Sequence, residues 1–224
     1  MKLPEKTRHS YKKTFLKNVQ VLFNFPCVED FNAKVELAKT FFTGHDYEAE
    51  PMSEQGSITV KKGSIKINLQ NGLLTIIQDA VNYNGFDGFK NECESIINML
   101  SSLGVVEFEA LIIQKVNVYV FSKSRYPHGI DSNAVSYTLY SDDFRAQGVS
   151  YTAGDYDSIT VLAQRKFVEL EQKYTATLTL TGMSQQIVPI ANASACLEDI
   201  NKELYNMFIW ATSENLRNLM DKED

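Results

Sequence analysis

The sequence predicts an α+β protein in which amphipathic helices pack on one face of antiparallel sheet. Residues 57–81 contain three runs of alternating apolar and polar residues, separated by turn signals at Lys62-Gly63 and Asn71-Gly72. Such runs predict a β-meander. Residues 86–103 place apolar side chains three and four positions apart, which predicts a helix with one buried stripe. Meanders flanked by helices define the α+β class.

The remaining elements of the first half follow from the same patterns. Residues 19–25 are β-branched and aromatic and stop at Pro26, which predicts the first strand. The helical spacing of apolar residues from Val28 to Phe42 predicts a helix that ends near Gly44. Residues 105–121 then predict a long strand.

The second half predicts further strands and a closing helix. Val135, Tyr137 and Leu139 alternate with other residues as strand residues do, and residues 144–151 and 159–168 are also typical of strands. Residues 174–180 alternate Tyr, Ala and Leu with Thr, which predicts a half-exposed antiparallel strand.

The chain is predicted to end in helices. From Ser194 onward, Leu and Ile side chains recur at helical spacing as far as Ala211, and Ser213 is placed to cap a short final helix.

The order of elements predicts an internal duplication. Residues 19–104 give a strand, a helix, three strands and a helix. Residues 106–220 give a long strand, an irregular segment, three strands and a helix, and no linker-like run separates the two halves. We therefore expect residues 1–224 to form a single domain, in which residues 1–14 are partly flexible.

Charge argues against a broad nucleic-acid surface. The chain has 22 Lys and Arg against 28 Asp and Glu, a net charge of −6, whereas nucleic-acid-binding domains carry a basic footprint. Residues 1–17 are locally basic, with six Lys and Arg against Glu5 alone. We interpret this segment as a solvated tail, with a phosphate-binding arm as the alternative.

Cysteine content and the N-terminus predict a cytoplasmic protein. The three cysteines are far apart and form no CxxC pair, which argues against a zinc ribbon or a redox site and favours a reducing compartment. The first residues lack the apolar core of a signal peptide, and every apolar run is far shorter than a membrane span.

Motifs for catalysis and cofactor binding are absent from the sequence. It contains no HExxH, GxSxG, GxGxxG or P-loop pattern, so no cofactor, no metal and no catalytic residue is predicted. Arg125, Tyr126 and His128 lie together after the long strand, where they could clamp an anion. The alternative interpretation of these residues is an ordinary Pro-bearing turn.

One pair of acids offers a second candidate for chemistry. Asp155 and Asp157 would share a face if their segment is extended, and two carboxylates could then converge on a divalent cation. The glycine and polar residues around them favour a plain turn instead.

Tyrosine is concentrated in the second half, where seven of the eleven lie between Tyr119 and Tyr174. Tyrosine supplies a large contact area at low entropic cost and is enriched at interfaces. Strand propensity is the competing explanation. The tyrosines offered as candidate binding residues are Tyr137, Tyr140, Tyr151 and Tyr174.

Two aromatic motifs resemble a known family. Tyr83, Gly85, Phe86 and Phe89 match a "Y-x-G-[WF]-x-x-F" helix start, and the ending formed by Phe208, Thr212, Leu216 and Arg217 matches "F-x-x-x-[ST]-x-x-L-R". Both resemble a sporadically distributed family of single-domain bacterial and phage proteins to which no activity is assigned. The resemblance implies a fold and no mechanism.

These observations predict a non-enzymatic interaction module that acts through protein contacts or holds a small ligand between sheet and helix. A homodimer is favoured among the protein partners, because residues 174–180 lack the charges and prolines that normally protect an edge strand. No membrane contact is expected. The alternative function is a small hydrolase or phosphate-handling enzyme that uses Arg125, His128 and the Asp155/Asp157 pair.

Overall fold

A computed structural model describes residues 2–50, 56–126, 128–155 and 158–222 of the chain. Its residue contacts group the chain into two compact units. Unit 1 comprises Met1–Lys17, Gln114–Gly182 and Lys202–Asp224, and unit 2 comprises Asn18–Ile113 and Met183–Asn201. The single-domain assignment stays a prediction.

The strands come largely in consecutive runs between helices, as is typical of an α+β chain. The strands are β1 Leu16–Asn24, β2 Glu48–Ala49, β3 Ser57–Lys62, β4 Ile65–Gln70, β5 Leu73–Asp79, β6 Glu107–Phe108, β7 Ala110–Ser122, β8 Ser150–Asp155, β9 Ile159–Glu169, β10 Lys173–Ser184 and β11 Val188–Pro189. The helices are α1 Phe31–Gly44, α2 Phe86–Ser102, α3 Ser132–Leu139, α4 Asp142–Ala146, α5 Ala193–Ala211 and α6 Glu214–Asp221. This content, with its antiparallel strands, confirms the α+β class.

Unit 2 is built on the predicted β-meander. Its strands are hydrogen-bonded in the order β2-β3-β4-β5-β1. The antiparallel register places Val60, Ile67, Ile76 and Val21 opposite one another across four strands, and all four are buried. Neighbouring side chains on one face stabilise such a register. Gly72 adopts φ 85°, which lets the β4–β5 turn close.

Unit 1 orders its strands in the same way. The hydrogen-bonded order is β8-β9-β10-β7, so in both units the strand that begins the repeat pairs with the last strand of the meander. This shared order supports the internal duplication. Along β10, Tyr174, Ala176, Leu178 and Leu180 are buried and the intervening threonines are partly exposed, as the sequence predicts.

One segment predicted as a strand, around Val135, Tyr137 and Leu139, is helical. Val135 and Leu139 are buried and Tyr137 is 64% exposed, which fits helix α3, where residues four apart share a face. The Asp131 side chain accepts a hydrogen bond from the Asn133 N–H and caps this helix. The prediction of a strand here was wrong because Val135 and Leu139, which are four residues apart, would share a buried face in a strand as well as in a helix.

The predicted strand over residues 144–151 is replaced by the end of helix α4 over residues 144–146 and by a turn over residues 147–149. Ser141 accepts a hydrogen bond from the Phe144 N–H at 3.1 Å and begins α4. Strand β8 begins only at Ser150.

The edge-strand argument for a dimer is not supported by the topology. Strand β10 lies between β7 and β9, so its backbone groups are paired within the sheet. A homodimer through residues 174–180 therefore loses its physical basis.

The N-terminal segment, which the sequence analysis interprets as a solvated tail, contacts helix α5 within unit 1. Leu3 is buried. The Lys6 N–H donates to Asn206 Oδ1 at 2.9 Å, and the His9 N–H donates to the Tyr205 hydroxyl at 2.8 Å. These contacts tie the segment to the helix.

The closing helices follow the sequence closely. Leu197, Ile200 and Leu204 of α5 are buried, and the Ser213 hydroxyl accepts from the Leu216 N–H at 3.0 Å, which caps α6 as predicted. No helix in the described part of the chain combines the length and the apolar character that crossing a bilayer requires.

We expect Leu100→Ala in helix α2 to destabilise the protein by about 2–5 kcal/mol, because a fully buried leucine leaves a cavity when truncated. Leu37→Ala on helix α1 is the matched control, since Leu37 is 60% exposed, and its expected change is within about 0.5 kcal/mol. Urea unfolding followed by circular dichroism measures both. Equal losses in the two variants would contradict the assigned core.

Candidate functional site

A cavity of about 200 Å³ lies between helix α3 and strands β9 and β10 of unit 1. Its lining combines apolar, polar and cationic side chains. The apolar residues are Val135, Val149, Phe167 and Ala176. The uncharged polar residues are Ser132, Asn133, Ser136 and Tyr140, and the cations are Arg165 and Lys166.

Arg165 lies at the centre of the site because of its register on β9. Along this strand Val161 and Ala163 are buried, and Arg165 follows them on the same face. A strand with one buried face therefore carries a guanidinium group toward the interior of unit 1.

Three hydrogen bonds hold the Arg165 side chain in place. Its Nε–H donates to the Gly148 carbonyl at 2.7 Å, Nη1 donates to the Ser136 hydroxyl, and Nη2 donates to the Arg145 carbonyl at 3.5 Å. The guanidinium carbon also lies 5.5 Å from the centre of the Tyr140 ring. A cation over an aromatic ring is attracted to its π face.

Tyr140 follows the C-terminus of α3 and forms another wall of the cavity. It is 3% exposed, and its hydroxyl donates to the Thr177 carbonyl at 3.2 Å. Burial raises the pKa of this phenol to about 12, against a smaller opposite effect of the Arg165 charge. Tyr140 is therefore neutral at physiological pH and stays a hydrogen-bond donor.

The other two predicted tyrosines of this region have different surroundings within unit 1, since Tyr137 contacts a cation and Tyr151 belongs to an aromatic cluster. The Arg145 guanidinium lies 3.8 Å from the centre of the Tyr137 ring. The Tyr151 ring contacts Trp210 with centroids 4.3 Å apart, and Trp210 contacts Phe144. The structure therefore brings Tyr137, Tyr140 and Tyr151 into one unit, and only Tyr140 lines the cavity.

Tyr174 stacks on Phe167 and does not itself line the cavity. The two rings are stacked at 6.0 Å and 12°, and Phe167 itself lines the cavity. Lys123 Nζ lies 5.2 Å from the centre of the Tyr174 ring. Tyr174 therefore contacts the cavity only through a neighbouring lining residue.

The predicted anion clamp is an exposed turn. Arg125, Tyr126 and His128 are all exposed, and none of them lines the cavity. The Tyr126 N–H donates to the Lys123 carbonyl at 3.1 Å, and the Gly129 N–H donates to the Tyr126 carbonyl at 3.0 Å. These backbone bonds match the turn interpretation.

The Asp155/Asp157 pair is not placed by the structure. Asp157 and the side chain of Asp155 lie outside the described residues, so the metal interpretation stays a prediction. Within the described residues, no group of three or more His, Cys, Asp or Glu is arranged to hold a metal ion.

A second depression of about 570 Å³ also has Tyr140 in its wall. Its charged residues are Lys6, Asp142, Asp143, Glu214 and Arg217. Acids therefore predominate here, whereas the lining of the smaller cavity is cationic.

The C-terminal motif residues have structural roles. Arg217 Nη1 donates to the Ile209 carbonyl at 2.9 Å and to the Thr212 carbonyl, which satisfies the end of α5. Leu216 is buried, and Thr212 donates to the Phe208 carbonyl at 2.6 Å. This motif ends one helix and begins the next.

The helix-start motif is equally structural. Gly85 adopts φ 102° at the N-terminus of α2, and Phe86 and Phe89 are buried. The centroids of the Tyr83 and Phe89 rings lie 6.3 Å apart. Glycine is favoured at such a φ because it has no Cβ.

Of the residues that line the cavity, sequence reasoning had proposed only Tyr140 as a site residue, and it missed Ser136, Arg165, Phe167 and Ala176 among others. One signal was present for Arg165. In the predicted strand 159–168, it occupies the same alternate positions as Val161 and Ala163, so the strand register already pointed it to the buried side.

Comparison with known proteins leaves the site to be interpreted from its geometry. No protein-family model and no curated protein matches the chain.

Tyr140 predicts a loss of stability at alkaline pH. Burial raises its pKa from 10.0 to about 12, so the folded protein keeps a proton that the unfolded chain releases between these values. The stability contributed by the neutral phenol is complete below pH 10 and is lost as the pH rises toward 12.

We therefore expect the free energy of unfolding to fall less between about pH 9 and pH 11 in Tyr140→Phe than in the wild type. Urea unfolding at the two pH values measures the difference. Because each protein is compared with itself, the hydrogen bond lost with the hydroxyl does not affect the result. An identical fall in both proteins would show that Tyr140 titrates normally.

Proposed function

We propose that the protein is a non-enzymatic binding module that holds a small ligand in the cavity between helix α3 and strands β9 and β10. The observation that carries this proposal is the lining of the cavity, in which an anchored guanidinium and a buried phenol lie beside an apolar wall. Ligand sites typically combine apolar walls with a few placed polar groups.

The size of the cavity limits the ligand. A dry cavity of about 150 Å³ binds benzene, and pockets for drug-sized ligands begin at about 300 Å³. A cavity of about 200 Å³ therefore suits a ligand of roughly ten non-hydrogen atoms.

The polar groups favour binding because their positions are set by the protein. Arg165 is held by contacts to Ser136 and Gly148, and Tyr140 is held by Thr177. Groups that are already oriented lose little entropy when a ligand arrives.

The other predicted functions have less support. The enzyme alternative requires Arg125 and His128 to meet the Asp155/Asp157 pair, but the first two are exposed and Asp157 is outside the described residues. Action through protein contacts stays a prediction.

The test uses benzamide as a neutral probe, detected by saturation-transfer NMR and by amide shifts in the labelled protein. We expect roughly millimolar binding, as for a fragment of this size, with shifts in residues that line the cavity. Ala176→Leu fills the cavity and should abolish the binding, since Ala176 is a buried lining residue.

Ala146→Leu is the matched control. It makes the same substitution on the exposed side of α4, away from the cavity lining, and should bind benzamide as the wild type does. Unchanged binding in Ala176→Leu would contradict the proposed site, provided that this variant unfolds cooperatively.

A further inference from the structure

We propose that the ligand of this cavity is a small organic acid whose carboxylate binds Arg165. This inference rests on the proposed function and adds the chemical class of the ligand. The argument uses the charge of the lining, the donors that Arg165 has left, and the apolar wall beside them.

The lining carries two cations and no acid. Arg165 and Lys166 are among the lining residues, and none of the lining residues is Asp or Glu. This composition differs from the chain as a whole, whose net charge is −6. The charged side chains of the lining itself are thus all cationic, which favours an anion over a cation as the ligand.

Arg165 has no carboxylate partner among the described residues. Its hydrogen-bond acceptors are two backbone carbonyls and the Ser136 hydroxyl. The neighbouring Arg145 differs, because it pairs with Asp142. Within the described ranges, the partners of the Arg165 charge are therefore dipoles and aromatic rings.

The guanidinium group retains donors for a ligand. Arginine has five N–H groups, and three of them are engaged by Gly148, Ser136 and Arg145. Two remain, which is the number that a carboxylate accepts in a bidentate pair. One of the two belongs to Nη1 and the other to Nη2, and the first three bonds fix the plane in which a carboxylate would meet them.

The rest of the cavity fits the hydrocarbon part of such an acid. Val135, Phe167 and Ala176 provide apolar contacts. Burial of a small ring against them contributes in proportion to the apolar area removed from water. The favoured ligand is thus a compact acid with one negative group and one apolar body.

The experiment compares benzoate with benzamide, which have nearly the same shape and differ in charge. Titration calorimetry and NMR shifts give both dissociation constants for the full chain. We expect benzoate to bind at least about tenfold more tightly, as a charge-assisted bidentate contact should, and to lose its binding in Ala176→Leu.

Variants at the guanidinium identify the contact. Arg165→Met should bring the two probes to similar affinities, whereas Arg125→Met removes an exposed arginine outside the cavity and should keep the preference for benzoate. Arg165→Met also removes the bonds to Ser136 and Gly148, so its fold is checked by circular dichroism. Arg165→Lys is a second variant that keeps the charge and loses the fork, and its preference should be reduced.

The outcomes separate the two proposals. Equal affinities for benzoate and benzamide in the wild type would overturn the carboxylate inference and leave the cavity as a binding site. A preference for benzoate that survives unchanged in folded Arg165→Met or Arg165→Lys would also overturn it. Failure of both probes to bind would overturn the proposed function together with this inference.

Discussion

The alternation of side chains along the β-strands is the constraint on which the rest of the structure depends. A strand that must bury one face fixes the direction of every second residue. In unit 2 this produces the buried row that crosses β3, β4, β5 and β1. In unit 1 the same rule sets the buried face of β10 and, on β9, directs Arg165 to the side of Val161 and Ala163. A charged group on a buried face needs hydrogen bonds to offset its desolvation, and the surrounding loops and helices of unit 1 supply them.

The two units share one strand order and differ in the connection that follows their first strand. Each begins with a strand that pairs with the last strand of the following meander. In unit 2 the first connection is a single helix of 14 residues, α1. In unit 1 the corresponding connection is divided into α3, with 8 residues, and α4, with 5. The cavity lies beside α3. Short helices bury less apolar surface than a long one, and here polar and aromatic contacts of Arg165 and Tyr140 occupy part of the layer.

The contacts of Arg165 and Tyr140 connect several elements of unit 1, so these residues stabilise the fold as well as line the candidate ligand site. Arg165 connects β9 to α3 through Ser136 and to the α4–β8 connection through Gly148, while Tyr140 connects the end of α3 to β10. Side chains held from several elements are pre-organised. This arrangement explains why a guanidinium group can stay in one orientation without a carboxylate from the described part of the chain.

The sequence by itself determined the elements whose period is unambiguous. The meander over residues 57–81, helix α2 and helix α5 follow from long repeating patterns, because many apolar residues in each fit the same hydrophobic period. Residues 135–139 were different, since Val135 and Leu139 are four apart and satisfy a strand and a helix equally well. The cap from Asp131 and the burial of both side chains decided for the helix.

The candidate site was decided almost entirely by the tertiary structure. The concentration of tyrosines indicated the second half of the chain, which is where the site lies. The lining residues Ser136, Tyr140, Arg165 and Ala176, however, meet only when α3 lies against β9 and β10. Such long-range contacts have no period in the sequence. The register of β9 did predict which face Arg165 occupies, whereas the partners that hold it there depend on how the chain returns to that face.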